Sequence, residues 1–200
     1  MRVSRAQAEA NREAVIDVAS RLFRKHGFDG IGLKDLMKGA GLTQGGFYKQ
    51  FESKDDLAAQ ASRRALESAL RRWSAAAAAN PQHPFGAVVA FYLSMAHREE
   101  KMDGCPVVAL GSDAARQGVD VKASFEAGIR EYLEVLGEWI GAADGEEPDG
   151  KAMAILSTMV GAVLLSRAVN DEQMSKRFLK TAAESVLKAS AADAEPGARQ

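Results

Sequence analysis

The stretch 33-LKDLMKGAGLTQGGFYKQF-51 reads as two short helices around a tight corner. Leu36, Met37 and Ala40 give the first helix, Leu33 to Gly39, an apolar face at helical spacing. Gly41 falls where a left-handed residue ends a helix, a conformation glycine adopts without a Cβ penalty. Leu42 is an apolar plug after the turn, and Thr43 precedes a second helix predicted over Gln44 to Phe51. Phe47 and Phe51 face inward on that helix at i, i+4, while Thr43, Gln44, Gly45, Tyr48, Lys49 and Gln50 face outward. The outer set is hydrogen-bond formers plus one cation, not the acid–base mixture of a solvated helix. Gly45 and Gly46 lie in the first turn, where each costs a helix about 1 kcal/mol. Bare backbone there makes sense if the helix tip must approach phosphate or base closely. This is the pattern of a helix-turn-helix, whose second helix enters the major groove. The plainer alternative is an αα-corner in a helical bundle.

Outward from the corner the chain reads as helix throughout. A first helix from about Ala6 or Arg12 to His26 carries Val15, Val18, Ala19, Leu22 and Phe23 as one apolar stripe, and Gly27 ends it. Phe28 and Ile31 are expected beneath the corner. Gly32 precedes the second helix as a cap without a side-chain acceptor, and Met37 is large enough to widen the helix crossing slightly. Ser53 caps the next helix, Lys54 to about Ala79, with Asp56 three residues on as a short-armed capping box. Leu57, Ala61, Leu66, Leu70 and Trp73 mark its buried side, and Arg63, Arg64, Arg71 and Arg72 are expected in solvent. The segment 80-NPQHP-84 is a break. Further helices are predicted over Phe85 to Arg98, Cys105 to Gln117, Val121 to Ala142, Lys151 to Val169 and Asp171 to Ala189. The acidic 144-DGEEPDG-150 reads as a loop, residues 1–10 as a frayed polar start with Arg2 and Arg5, and residues 191–200 as a disordered tail.

The stretch 28-FDGIGLKDLMKGAGLTQGGFYKQFESKDDL-57 resembles the DNA-binding signature of TetR-family transcriptional repressors. The shared features are Gly27 ending the first helix, the Ala40-Gly41-Leu42-Thr43 turn, the Phe47-Tyr48-Lys49-Gln50-Phe51 end of the recognition helix, and Ser53-Lys54-Asp55-Asp56-Leu57 opening the next. The resemblance implies an all-α protein of about nine helices, with a head at 1–53, a connecting helix at 54–80 and a ligand-binding and dimerisation domain at 81–190. It implies phosphate contacts for Lys34, Tyr48 and Lys54. Among the outward residues Thr43, Gln44, Gly45, Gly46, Tyr48, Lys49 and Gln50, the base-edge candidates are Gln44 with Lys49 or Gln50, since glutamine pairs with adenine and lysine with guanine. It further implies a homodimer on a palindromic operator in double-stranded DNA, released by a small molecule.

Composition agrees with that layout. The 200 residues carry a net charge of −1, with 46% hydrophobic content. Residues 1–80 hold 14 Lys/Arg against 9 Asp/Glu, and residues 81–200 hold 12 against 18. A basic first part and an acidic remainder suit a DNA-binding head on a body that does not touch DNA. No run of about 18 apolar residues and no signal-like start is present, so no membrane span is expected and the protein reads as cytoplasmic. The single cysteine, Cys105, excludes an internal disulfide.

Lys151 to Val169 is apolar nearly all round, with Ser157, Gly161 and Ala162 interleaved, so it must be buried on two sides. The expected partner is a second copy meeting Ile155, Met159, Val163, Phe178, Ala182 and Val186. Phe91, Tyr92, Met95, Cys105, Phe125, Ile129, Tyr132 and Met159 are candidate lining for a pocket, with Trp73, Met102 and Trp139 as further candidates. Few charges lie among them, so an apolar or aromatic inducer is expected. The three histidines have no ligand spacing, and no catalytic motif occurs, so no metal, cofactor or enzyme activity is expected. Two rival readings stand beside the regulator. One is a helical protein–protein interaction module. The other is a thiol-based redox or electrophile sensor at Cys105, where a helix N-terminus favours thiolate.

Overall fold

The computed structural model describes residues 4–141 and 150–191, and the described residues are helical with no strands. The acidic stretch 144–149, the tail 192–200 and Arg2 lie outside them. Nine α-helices occur among the described residues: α1 Arg5–His26, α2 Leu33–Gly39, α3 Lys54–Ala79, α4 Pro84–Tyr92, α5 Met95–Glu99, α6 Pro106–Ala114, α7 Val119–Ile140, α8 Gly150–Ala168 and α9 Glu172–Ala191. A 3-10 helix, Gln44–Lys49, lies between α2 and α3.

The chain forms two compact units, Met1–Ala69 with Lys101–Gly128, and Leu70–Glu100 with Ile129–Gln200. The division falls within α3 and α7 rather than at the Asn80–Pro84 break, and α6 groups with the head segment.

In the first unit, α1 presents Val15, Ala19 and Phe23, all without solvent exposure, to α2 and its neighbours. Ser4 opens α1 by accepting from the Gln7 amide at 3.1 Å. Gly27 closes it at φ +76°, its amide donating to the Phe23 carbonyl at 2.8 Å. A β-carbon on Gly39 would meet Val18 and Leu22 at 2.8 and 3.2 Å, so α2 lies directly on α1. Arg64, expected in solvent, pairs with Glu13 and Asp17 of α1, and Arg12 donates to Gln60 at 2.5 Å while lying over the Phe51 ring at 5.4 Å. These charges staple α1 to the first part of α3.

In the second unit, Trp73, Tyr92 and Tyr132 form a closed aromatic cluster, with Trp73 5.5 Å from Tyr92 and 4.7 Å from Tyr132 between ring centroids. The single helix predicted over Phe85 to Arg98 is two. Leu93 and Ser94 leave the helix, and Ser94 recaps α5 by accepting from the His97 amide at 3.1 Å. Arg72, also expected in solvent, pairs with Glu100 at 2.6 Å and lies 5.0 Å over Phe91. Arginines lock α5 to α8 in both directions: Arg98 donates to the Ser166 carbonyl, and Arg167 donates to the carbonyls of His97, Arg98 and Glu100.

By length and composition α8 could cross a bilayer, at a mean hydropathy of 1.3. Here it is a core helix with one face packed on α9. Ile155, Met159, Val163, Ala182 and Val186 are all buried within the single chain, and Phe178 is half-buried. Met153, Leu164 and Leu165 of α8 and Met174 and Leu187 of α9 are each at least 40% exposed instead.

Candidate nucleic-acid interface

The corner forms as its residues dictate. Gly41 adopts φ +72°, its amide donates to the Lys38 carbonyl at 3.0 Å, and the Leu42 amide donates to Met37 at 2.9 Å. This pair of bonds is the Schellman stop, and it turns the chain out of α2. Thr43 then takes an extended conformation at φ −88°, ψ 148°.

The segment after Thr43 is a 3-10 helix over Gln44–Lys49, not the α-helix expected through Phe51. Gly46 donates to Thr43 at 3.1 Å and Gln50 to Phe47 at 2.9 Å. Two glycines in a six-residue segment remove the side chains that would favour α geometry, and short runs tolerate the tighter turn. The inward face survives the change: Phe47 and Phe51 are buried and stacked at 5.4 Å. Met37 is fully buried, and its Cε lies 3.8 Å from where a β-carbon on Gly46 would stand, so the wide residue fills the space beneath the segment.

The outward face is open. Tyr48 is 71% exposed, although its ring meets Phe47 edge-on at 5.1 Å. Thr43, Gln44, Gly45 and Lys49 are exposed, as is Lys34 at the start of α2, while Gly46 and Lys54 are half-buried. The Thr43 side chain caps nothing. Gln50 is half-buried, with its Oε1 turned inward and unpaired among the described residues, which leaves Gln44 and Lys49 better presented. A β-carbon on Gly45 would meet nothing within 4 Å, and its φ is not positive. The fold therefore makes no demand for glycine there. Ser53 caps α3 by accepting from the Asp56 amide at 3.0 Å, and Asp56 reaches back to the Glu52 amide at 3.1 Å, one residue beyond the reciprocal bond of a capping box. That cap sets Lys54 in the first turn of α3.

The pocket candidates divide between the two units. Cys105 and Phe125 belong to the first unit, and Phe91, Tyr92, Met95, Ile129, Tyr132 and Met159 to the second. Tyr92, Tyr132 and Met159 are fully buried, whereas Phe91, Met95 and Ile129 are half-buried. A separate cleft of about 600 Å³ in the second unit is lined by Phe85, Trp139, Ile140 and Leu187 among others, and by none of the eight. Cys105 precedes α6 as its cap residue but is only 2% exposed and makes no side-chain capping bond.

Sequence reasoning missed Arg24, which sits on the inward side of α1 at 6% exposure. The signal was the row Ile16, Ser20, Arg24 at i, i+4, i+8, which the structure buries together.

Residues 15–61 match the family pattern described as bacterial regulatory proteins, tetR family. The regulator AcrR of Shigella flexneri is 38% identical over 56 residues, which is 28% of this chain and 26% of that protein, so the chain spans about a quarter of that relative. The regulator LmrA of Bacillus subtilis is 25% identical over 162 residues, covering 78% of this chain and 86% of that one. The solved structure of a TetR transcriptional regulator from Chloroflexus aurantiacus aligns at a TM-score of 0.75 and 25% identity, covering 92% of this chain and 97% of its own.

Proposed function

We propose that this chain is a transcriptional regulator of the tetR family, and more specifically a cytoplasmic, homodimeric repressor of a palindromic operator. Each head lays Gln44–Lys49 in the major groove of one half-site, with half-sites about one helical turn or a multiple of it apart, roughly 34–36 Å per turn. Gln44 and Lys49 read base edges, with Gln50 a subsidiary contact, and Thr43, Lys34, Tyr48, Lys54 and the Gly45–Gly46 backbone hold phosphates. The observation that carries this reading is an exposed tyrosine beside glycines the fold does not need. Both features cost the free protein and repay only against a close, polyanionic partner.

The dimer forms through α8 and α9, where Leu164, Leu165 and Met174 stand exposed. An apolar patch of that kind marks an interaction surface. The second unit takes a small apolar or aromatic inducer, which lowers operator affinity by binding the two states of the dimer unequally.

The test is selection of duplexes from a random pool by the full-length chain, followed by an electrophoretic shift. Enrichment of an inverted repeat supports the reading, with the shift lost in the Tyr48→Ala, Lys49→Ala double variant at unchanged dimer mass. No enrichment, or a shift indifferent to both substitutions, contradicts it.

A further inference from the structure

Arg24 is a buried cation in the first unit. Its side chain is 2% exposed, its Nε donates to the Ser20 carbonyl at 2.9 Å, and its Nη1 donates to the Gly104 carbonyl at 3.0 Å. Asp103 lies beside it, 3.9 Å from Nη2, and is also held by Arg21 at 3.0 Å. Burying a guanidinium is costly, and its donors must be satisfied on the spot. Here the carbonyl that satisfies it across the fold belongs to the loop that opens α6. The other end of α6 also bears on α1: the Asp113 carboxylate oxygen lies 2.7 Å from where a β-carbon on Gly27 would stand. So the segment that opens α6 is bonded to the second half of α1, and the end of α6 passes close to Gly27. In turn α1 carries α2 through the close approach at Gly39, and α2 carries the reading segment through Met37.

Resting on the regulator reading above, we infer that Arg24 is a positioning residue for operator binding, the latch that makes the placement of the reading corner depend on the start of α6. A displacement of the 101–105 loop breaks the Arg24–Gly104 bond and leaves a buried cation short of an acceptor. The first unit then relaxes by shifting α1, and with it the corner. By linkage, DNA that holds the corner also steadies the start of α6.

Two measurements on the full-length chain test this, using a duplex it has selected from a random pool. In the wild type, duplex binding slows amide exchange at Val107 to Leu110, far along the chain from the reading segment Gln44–Lys49. Unchanged exchange there overturns the inference. Arg24→Met lowers affinity for the duplex about tenfold at wild-type dimer mass and helix content, with Arg24→Lys, which keeps the charge but not the fork, in between. Wild-type affinity in Arg24→Met overturns it as well. If Arg24→Met fails to fold, Arg24→Lys and the wild-type exchange decide: wild-type affinity in the lysine variant counts against the latch, and an intermediate loss supports it. A wild type that selects no duplex at all sinks the regulator reading itself, a separate outcome.

Discussion

Tyr48 stands edge-on to Phe47, with ring centroids 5.1 Å apart and planes at 88°, yet Phe47 is fully buried and Tyr48 is 71% exposed. Neighbours in sequence thus divide the labour between holding the segment and presenting it. Phe47→Ala is expected to destabilise the protein by about 3–5 kcal/mol, since it empties a packed site under the corner. Tyr48→Ala is expected to leave the unfolding free energy from urea titration within about 0.5 kcal/mol of wild type, as surface changes do, while operator binding falls. Equal loss of stability in the two variants would contradict the division.

Gly45 separates fold from function in the same way. Since a β-carbon there meets nothing within 4 Å, Gly45→Ala should fold as well as wild type, or better by up to about 1 kcal/mol. Operator affinity should drop in Gly45→Ala and further in Gly45→Val, as bulk enters the gap between backbone and DNA. Thermal melts and fluorescence anisotropy on the same samples check this, and unchanged affinity in Gly45→Val would count against close approach.

Acid should weaken the second unit through His97. Burial holds its imidazole below the usual histidine value, with Arg167 and Arg72 adding to the effect, although its bond to the Tyr92 carbonyl at 2.6 Å opposes it. The folded value therefore lies below the unfolded one, about 6.5. As pH falls through about 6.5 the unfolded chain takes up the proton first, so stability declines down to the folded value and then levels. Urea midpoints from pH 8 to 5 should show this decline, and His97→Gln should remove that increment. An identical pH slope in the variant would exclude His97 as its source.

The exposed apolar side of α8 makes a prediction about assembly. Leu164→Glu with Leu165→Glu should give a folded monomer by sedimentation velocity and abolish high-affinity operator binding. Val163→Glu, at a buried position on the same helix, should instead unfold the chain, because it places an unpaired charge in the core. A double variant that stays dimeric would move the interface elsewhere.

Much of the corner was legible in the sequence. Gly41 announced the left-handed stop, and the Phe47–Phe51 pair announced the inward face. The 3-10 geometry was not, because the i, i+4 rule describes the buried pair equally well when two glycines leave the first turn tighter. The break at Leu93–Ser94 was hidden by apolar residues on both sides, and only the Ser94 cap marks it. The direction faced by α8 could not be read at all: with apolar residues on every side, periodicity gives no preferred face. Sequence therefore favoured Ile155 and Val163 for the interface, where the structure buries both and exposes Leu164 and Leu165. Periodicity puts Arg64 and Arg72 in solvent and says nothing of Arg24, so all three were missed as packing residues.

The most direct test of the central claim is the salt dependence of binding between the full-length chain and its selected duplex. A surface that grips phosphates through lysines releases a counterion for each, so the logarithm of affinity should fall with the logarithm of salt at a slope of about 0.9 per phosphate neutralised. Lys34→Ala and Lys54→Ala should each make that slope shallower by about one contact per head, at unchanged dimer mass. An affinity insensitive to salt, or a slope that neither substitution alters, would contradict the account.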